Sequence, residues 1–480
     1  MQTSRREFLK ASLTGAGALA FPNLIPARVL GDDAPSKRIR VAQIGCGRIG
    51  FTMDMPGVVK TGMADYVAVC DYDARRANYA KEFLEQAYAK QKMGVPKIDV
   101  LGDYKEILAR SDVDAVVIST PDHQHAEPAA AAALAGKDIW LQKPLAMAVA
   151  ESRACCDTVV KAKRILQIGS QQRSSEQFRK ACEYVRSGRV GKVTHVEIGL
   201  PKDETKLDDP EQPVPPNLNY DAWLGSTPMQ YYTAQRVHWQ EGSLVEKKSG
   251  GKTVRKPLTF KDSISERPGW LRNEDHTLGM ITGWGSHHFD ILHWGLGIVD
   301  GGPEKVEGEA EFPTNKIWNV HLGYRLQYTY PGGVIVKVSN TYPNGVRFIG
   351  DDGWIFVSRS AEKVTSSDPA VAATKLKPLD ASQPSLITGE PTVKLYVSKN
   401  HHANWLECVK SRKEPITPVV NGHHVFTACA IGWIAMKLHR PLTWDAKAEK
   451  FMGDDEANRM LRRPERPGYG IFNLLAKHNA

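Results

Sequence analysis

A chain of 480 residues with 41% hydrophobic and 24% charged side chains is long enough for two or three globular domains and too apolar for a disordered protein. Its formal charge is +9, of which Arg5, Arg6, Lys10 and Arg28 against Glu7 place +3 in residues 1–31. The remaining +6 forms no run long enough for a nucleic-acid-binding arm, so no nucleic-acid partner is expected. Seven cysteines (Cys46, Cys70, Cys155, Cys156, Cys182, Cys408 and Cys429) are odd in number and show no paired spacing, so no disulfide framework or zinc site is read from them.

In chain order, Ser4-Arg5-Arg6-Glu7-Phe8-Leu9-Lys10 has the form of a twin-arginine export signal, followed by a weakly apolar stretch from Ala11 to Ala20. The expectation is a signal peptide over residues 1–31, a partnership with the twin-arginine translocation machinery, and a soluble mature protein in the periplasm or otherwise exported. No later stretch reads as long and apolar enough to cross a bilayer. A nucleotide-binding domain is expected over 32–165 and an α+β substrate domain over 166–480.

Ile39, Val41, Ala42 and Ile44 form an apolar run, and Gly45, Gly47 and Gly50 follow at G-x-G-x-x-G spacing, with Arg48 and Ile49 inside the turn. A buried parallel strand turning into a helix requires this pattern. The first glycine permits the tight turn, the second lets a pyrophosphate approach backbone N–H groups, and the third lets helix and strand pack closely. A second strand, Tyr66 to Cys70, ends at Asp71, 21 residues beyond Gly50, where a carboxylate would accept hydrogen bonds from the adenosine ribose. Asp71 favours NAD, and Arg75 and Arg76 beside it keep NADP open.

Asp73 to Gln91 has helix composition, and Asp103 to Ala109 reads as a short helix. Asp112 to Asp122 reads as a fourth parallel strand ending in a Pro-containing loop, and His123 to Gly136 as an Ala-rich helix. A strand from Asp138 to Leu141 delivers Gln142-Lys143-Pro144 at the sheet edge where ligands bind. A sixth strand follows over Ile165 to Ile168.

Gly45-Cys-Gly-Arg-Ile-Gly50, Thr120-Pro-Asp-His-Gln-His125, Gln142-Lys-Pro144 and Gly169-Ser-Gln-Gln-Arg173 together resemble the Gfo/Idh/MocA oxidoreductases, a likeness running from about Ile39 to Gly470. The resemblance implies a tightly bound NAD, with Thr120, Pro121, His123, His125, Gln142, Lys143 and Gln171 on the cofactor side. It implies that Lys143 stands beside the nicotinamide and the reacting hydroxyl. Gln142 departs from the usual Glu of that motif, and an amide cannot act as a carboxylate partner for Lys143.

In the second domain, Pro201 to Asn219 reads as a surface loop, Tyr220 to Gly225 resembles a signature near the substrate cleft, and Gln240 to Pro268 reads as an inserted, mobile or cleft-covering loop. The stretch from Gly279 to Trp294 carries the second chemical centre. His287 matches the family's catalytic His and Asp290 a later Asp, spaced to share a helix face, whereas Gly283 stands where a further Asp is usual. Arg173, Trp284, His288 and Asp275 are expected on the substrate side. His276, His287, Asp290 and His293 show no metal-ligand spacing, so no metal is expected.

Runs at Lys305–Phe312, Val320–Tyr330, Gly333–Tyr342, Val346–Gly350 and Trp354–Ser358 suggest an antiparallel sheet. In the resembled family this open sheet floors the substrate cleft and forms an oligomer interface, implying a homodimer or homotetramer. His401–Lys410 and His423–His439 read as helices packing back on the domains. The fold class expected is therefore α/β, a doubly wound parallel sheet followed by an α+β domain with a large, mainly antiparallel sheet. The activity expected is NAD-dependent oxidation of a secondary hydroxyl of a sugar, polyol or glycoside. The alternatives are redox-neutral cleavage of a glycoside through transient C3 oxidation, and a non-catalytic binding protein.

Overall fold

The computed structural model describes residues 38–249, 252–359 and 375–479. The twin-arginine reading falls on residues outside these. From Ile39 onward the described chain folds as one unit.

Six parallel strands open it: β1 (Ile39–Ile44), β2 (Ala64–Cys70), β3 (Asp99–Leu101), β4 (Ala115–Ile118), β5 (Asp138–Leu141) and β6 (Leu166–Ile168). Their order, β3-β2-β1-β4-β5-β6, is doubly wound about β1 and β4, which puts the topological switch point beside the glycine turn. Every residue of β4 and β5 is buried, as continuous apolar runs in a sheet covered on both faces require. Helix starts follow local chemistry. Asp73 accepts from the Arg75 amide to cap the Ala74–Lys90 helix, and Asp103 with Glu106 forms a reciprocal capping box for Tyr104–Leu108. The sequence reading passes over β3, a three-residue edge strand too short for an alternating pattern. β6, placed by the expected domain boundary in the second domain, is hydrogen-bonded to β5.

The second sheet has nine strands: β7 (Val193–Gly199), β10 (Lys305–Ala310), β11 (Tyr324–Thr329), β12 (Ile335–Ser339), β13 (Gly345–Gly350), β14 (Gly353–Val357), β15 (Leu379–Ala381), β16 (Leu442–Asp445) and β17 (Lys450–Phe451). It is antiparallel except where β7 runs parallel to β12. A separate hairpin, β8 (Leu244–Ser249) with β9 (Lys252–Pro257), lies in the inserted segment. Ile118 and Leu141 of the parallel sheet share one apolar cluster with Val196, Val338 and Phe348 of the larger one.

Between them runs the Val419–Leu438 helix, which by length and composition could cross a membrane. That corrects the expectation that no such stretch follows the N-terminus. Here it is a core helix: Phe426, Ile431, Ile434 and Met436 are buried, and it packs on the Val149–Lys161 and Gly285–Leu296 helices. All seven cysteines are buried and free.

Candidate active site

A cavity of about 1180 Å³, counting the solvent at its mouth, runs along the C-terminal edge of the parallel sheet from the glycine turn to Lys143. Gly45 has φ +85°, and a Cβ there would stand 2.8 Å from the Ser119 carbonyl carbon and the Thr120 nitrogen, so only glycine fits where β1 and β4 end side by side. At Gly47 no atom lies within 4 Å of a Cβ position. Gly47 lines the cavity, so this vacancy is the room a pyrophosphate needs against the backbone. Gly50 packs inward, its Cβ position 3.1 Å from the Gly45 oxygen. Arg48 and Ile49 complete the turn on the cavity wall.

Asp71 closes this end. Its Oδ2 accepts from the Cys46 amide at 2.6 Å and its Oδ1 from the Asp73 amide at 2.8 Å, which ties the end of β2 to the glycine turn. Burial pushes its carboxyl up to about 6, with Asp73 adding to the rise. Arg76, rather than Arg75, joins it on the wall. Arg75 turns outward, 2.6 Å from Glu241 and stacked over Phe260.

The segment from His238 to Leu271 forms the opposite wall through His238, Ser263, Ile264, Glu266, Pro268, Trp270 and Leu271. It is pinned down. Buried Arg76 donates to the Trp239 and Ser263 carbonyls at 3.2 and 3.1 Å, and His238 Nε2 lies 2.9 Å from Asp73 Oδ2. Asp73 also accepts from Gln240 and Asn217. Burial alone would raise the Asp73 carboxyl, but the His238 contact and the Arg76 charge outweigh it and hold the group well below its ordinary range. Residues 238–240 and Ser263 are thus tied to the glycine-turn side of the cleft through Arg76 and Asp73.

The wall also carries Thr120, Pro121, Asp122, His125, Gln142, Lys143 and Gly283. His125 lies between two carbonyls, Pro144 at 2.5 Å from Nδ1 and Thr120 at 2.9 Å from Nε2, and as a neutral ring it donates to one of them. Gln142 Nε2 donates to both oxygens of Asp54, at 2.9 and 3.0 Å. Asp54 is fully buried in a π-helical turn, Gly50–Asp54, and accepts also from Ser119 Oγ at 2.6 Å, with His402 Nε2 3.2 Å away. A carboxylate thus lies behind Gln142 after all, contributed by the helix after the glycine turn. Asp122 accepts from Thr277 Oγ1 at 2.8 Å. Burial pushes its carboxyl up to about 7 against the opposing pull of Lys143.

Other expected residues sit elsewhere. His123 packs between Trp223 and His276, its Nε2 2.9 Å from the Trp223 carbonyl, and burial pulls it down to about 3. Gln171 is off the cavity wall. Asp290 does not pair with His287. It is locked by Arg173 at 2.7 Å, Ser170 at 2.8 Å and Asn421 at 2.6 Å, in a buried ion pair whose every oxygen is taken. Arg173 is correspondingly a scaffold group, stacked on Trp294.

Trp284 and His288 converge on Asn344 Oδ1 at 2.7 Å each, and Asp275 faces Arg236 at 3.5 Å. His287 is buried, with Nδ1 unpartnered. Burial, then the charges of Arg359 and Lys143, hold it neutral.

The four residues weighed as metal ligands are not gathered. Among the described residues the one group with ligand spacing is His423, His424 and Glu449. There Ser152 and Glu449 engage both His423 nitrogens and Arg153 neutralises the carboxylate, which describes an ion-pair network.

Sequence reasoning missed Asp54, Asp122, His238 and Thr277 as site residues, and weighed Arg76 only for cofactor choice. Asp122 lies inside Thr120-Pro-Asp-His-Gln-His125, so a signal for it was present. Asp54 and His238 carried none.

The family model of an oxidoreductase with an NAD-binding Rossmann fold matches residues 39–170, and that of the same family's C-terminal α/β domain matches 201–253 and 270–471. The inositol 2-dehydrogenase of Rhizobium meliloti is 32% identical over 160 residues, 33% of this chain and 44% of that protein. An α-N-acetylgalactosaminidase of Shewanella oneidensis is 29% identical over 210 residues, 40% of this chain and 45% of that protein. The chain spans about half the length of these relatives. The WlbA dehydrogenase of Bordetella pertussis, solved with NADH and UDP-GlcNAcA, superposes with a TM-score of 0.55 at 16% identity, covering 85% of this chain and 99% of that one. Both halves of the fold are matched by one family's models, and the chain belongs to the Gfo/Idh/MocA oxidoreductase family.

Proposed function

We propose that this protein is an NAD-dependent oxidoreductase acting on a secondary hydroxyl of a sugar, polyol or glycoside. The observation that carries the reading is the single cavity joining a glycine turn shaped for a pyrophosphate to Lys143. Gly47 and Asp71 would hold the dinucleotide at one end, and Asp71 favours a free ribose 2′-hydroxyl over a phosphate. When bound, NAD supplies the hydride acceptor. Lys143 is placed to hold the reacting oxygen, and the pinned segment from His238 to Leu271 excludes water from the nucleotide side. The twin-arginine motif supports export of the folded, loaded protein. The open nine-stranded sheet suits assembly into a homodimer or homotetramer.

A second reading, redox-neutral cleavage of a glycoside, is favoured by Gly283. Only Met280 Cε, at 3.9 Å, approaches a Cβ position there, leaving space beside Lys143 for a larger substrate. The likeness to an α-N-acetylgalactosaminidase points the same way. The test is to load the purified full chain with NAD and follow nicotinamide absorbance across a panel of sugars, polyols and aryl-glycosides. Lasting reduction by one sugar supports the oxidoreductase. Aglycone release without lasting reduction replaces it with the second reading, and no uptake of NAD overturns both.

A further inference from the structure

Oxidising a hydroxyl to a carbonyl requires a base at the reacting end of the cavity, and the geometry narrows the choice. His125 is engaged by a carbonyl at each ring nitrogen. His287 is not among the residues that line the cavity. Asp71 and His238 belong to the glycine-turn end, Glu266 to the covering segment on the opposite wall, and Gln142 is an amide turned towards Asp54. Lys143 and Asp122 remain, both on the wall.

Asp122 is 4% exposed and heads the 3-10 turn Asp122–Gln124 at the C-terminal end of β4. Thr277, contributed by the second domain, holds one of its oxygens and so fixes the carboxylate's aim. The other titratable groups around it are His123 and His125 of its own turn and His276 next to Thr277, all kept neutral by burial. The one cation among these neighbours is Lys143. A carboxylate favours the protonated form of a neighbouring lysine, and an ammonium cannot take up a proton.

We propose that Asp122 is the general base of this site, accepting the substrate's hydroxyl proton while the Lys143 ammonium holds the oxygen. The inference rests on the oxidoreductase reading. In the step, the carbon–hydrogen bond breaks with both electrons passing to the nicotinamide, which is reduced. The O–H proton passes to the Asp122 carboxylate, and the oxidised carbon forms a carbonyl whose oxygen stays hydrogen-bonded to Lys143. In the reverse direction protonated Asp122 returns the proton. Burial supports the role by raising the basicity of the carboxylate into the neutral range, where a general base is most effective.

Two measurements on the full chain loaded with NAD test this. Carbon-detected NMR of the side-chain carboxyls should show one group titrating near neutrality that disappears in Asp122→Asn and moves upward in Lys143→Met. A carboxyl with an ordinary acidic midpoint, or one indifferent to Lys143→Met, would overturn the proposal.

Rapid-mixing reduction of bound NAD by the sugar the panel identifies should slow by about 100-fold or more in Asp122→Asn. Its pH dependence near neutrality should flatten, while NAD affinity stays within about threefold and reports an intact fold. A variant as fast as the parent, with the same pH profile, would exclude Asp122 as base. Should no sugar or polyol reduce the cofactor in the parent, the oxidoreductase reading fails, and the carboxyl titration alone decides whether Asp122 and Lys143 are coupled.

Discussion

Gln142 donates its amide hydrogens to both oxygens of Asp54, and both residues are buried. One carboxylate and one amide make a satisfied contact, whereas two carboxylates there would repel in a low-dielectric setting. Gln142→Glu should therefore destabilise the protein by about 2–4 kcal/mol, and Asp54→Asn by a similar amount. The double variant Asp54→Asn/Gln142→Glu, which exchanges the two groups, should recover most of the loss. Urea unfolding midpoints of the four proteins form the cycle, and strict additivity would show that the contact is not the coupling.

The first two glycines of the turn should separate by phenotype. Gly45→Ala forces a methyl to 2.8 Å from backbone atoms at φ +85°, so it should lower stability by about 2 kcal/mol or more. Gly47→Ala meets nothing, so the melting temperature should hold, but the methyl enters the cavity and NAD affinity should fall by about tenfold or more. Calorimetry with and without nucleotide reads both effects.

Arg76 fastens the covering segment through two carbonyls that have no substitute donor once the guanidinium is gone. Arg76→Ala should speed NAD dissociation by about tenfold or more, and expose the segment to limited proteolysis. Stopped-flow release of the nucleotide and a proteolysis time course check this. Unchanged release would mean that the segment does not retain the cofactor.

Asp290 is a scaffold charge, so Asp290→Asn should act on stability. Leaving Arg173 buried opposite a neutral amide should cost about 3–5 kcal/mol. In whatever folded fraction remains, the pH dependence of the reaction should match the parent.

Stability itself should depend on pH through Asp122. Its carboxyl sits near 3.8 when exposed and near 7 in the fold, so between these values the folded state binds the extra proton. That contribution is complete below about pH 4 and is lost as pH rises through about 7, a change on the order of 2–4 kcal/mol. Asp71, raised to about 6, acts in the same sense. The stability difference between the parent and Asp122→Asn, measured by urea unfolding from about pH 5 to 8, should shrink with rising pH.

The parallel sheet, the glycine turn and the position of Asp71 were legible in the sequence because each depends on neighbours within a few residues: apolar runs, glycine spacing, a carboxylate at a strand end. The strands from Lys305 to Val357 were legible for the same reason, as β-branched and aromatic runs between turns.

What only the tertiary structure decided are pairings across long chain separations. Asp54 meets Gln142 and His402, Asp73 meets His238, and Asp122 meets Thr277. Asp290 turns to Arg173 rather than His287, because a shared helix face brings two side chains within reach but does not say which partner each takes. A buried charge goes to the group that best offsets its lost hydration, and that group is known only when the chain has folded.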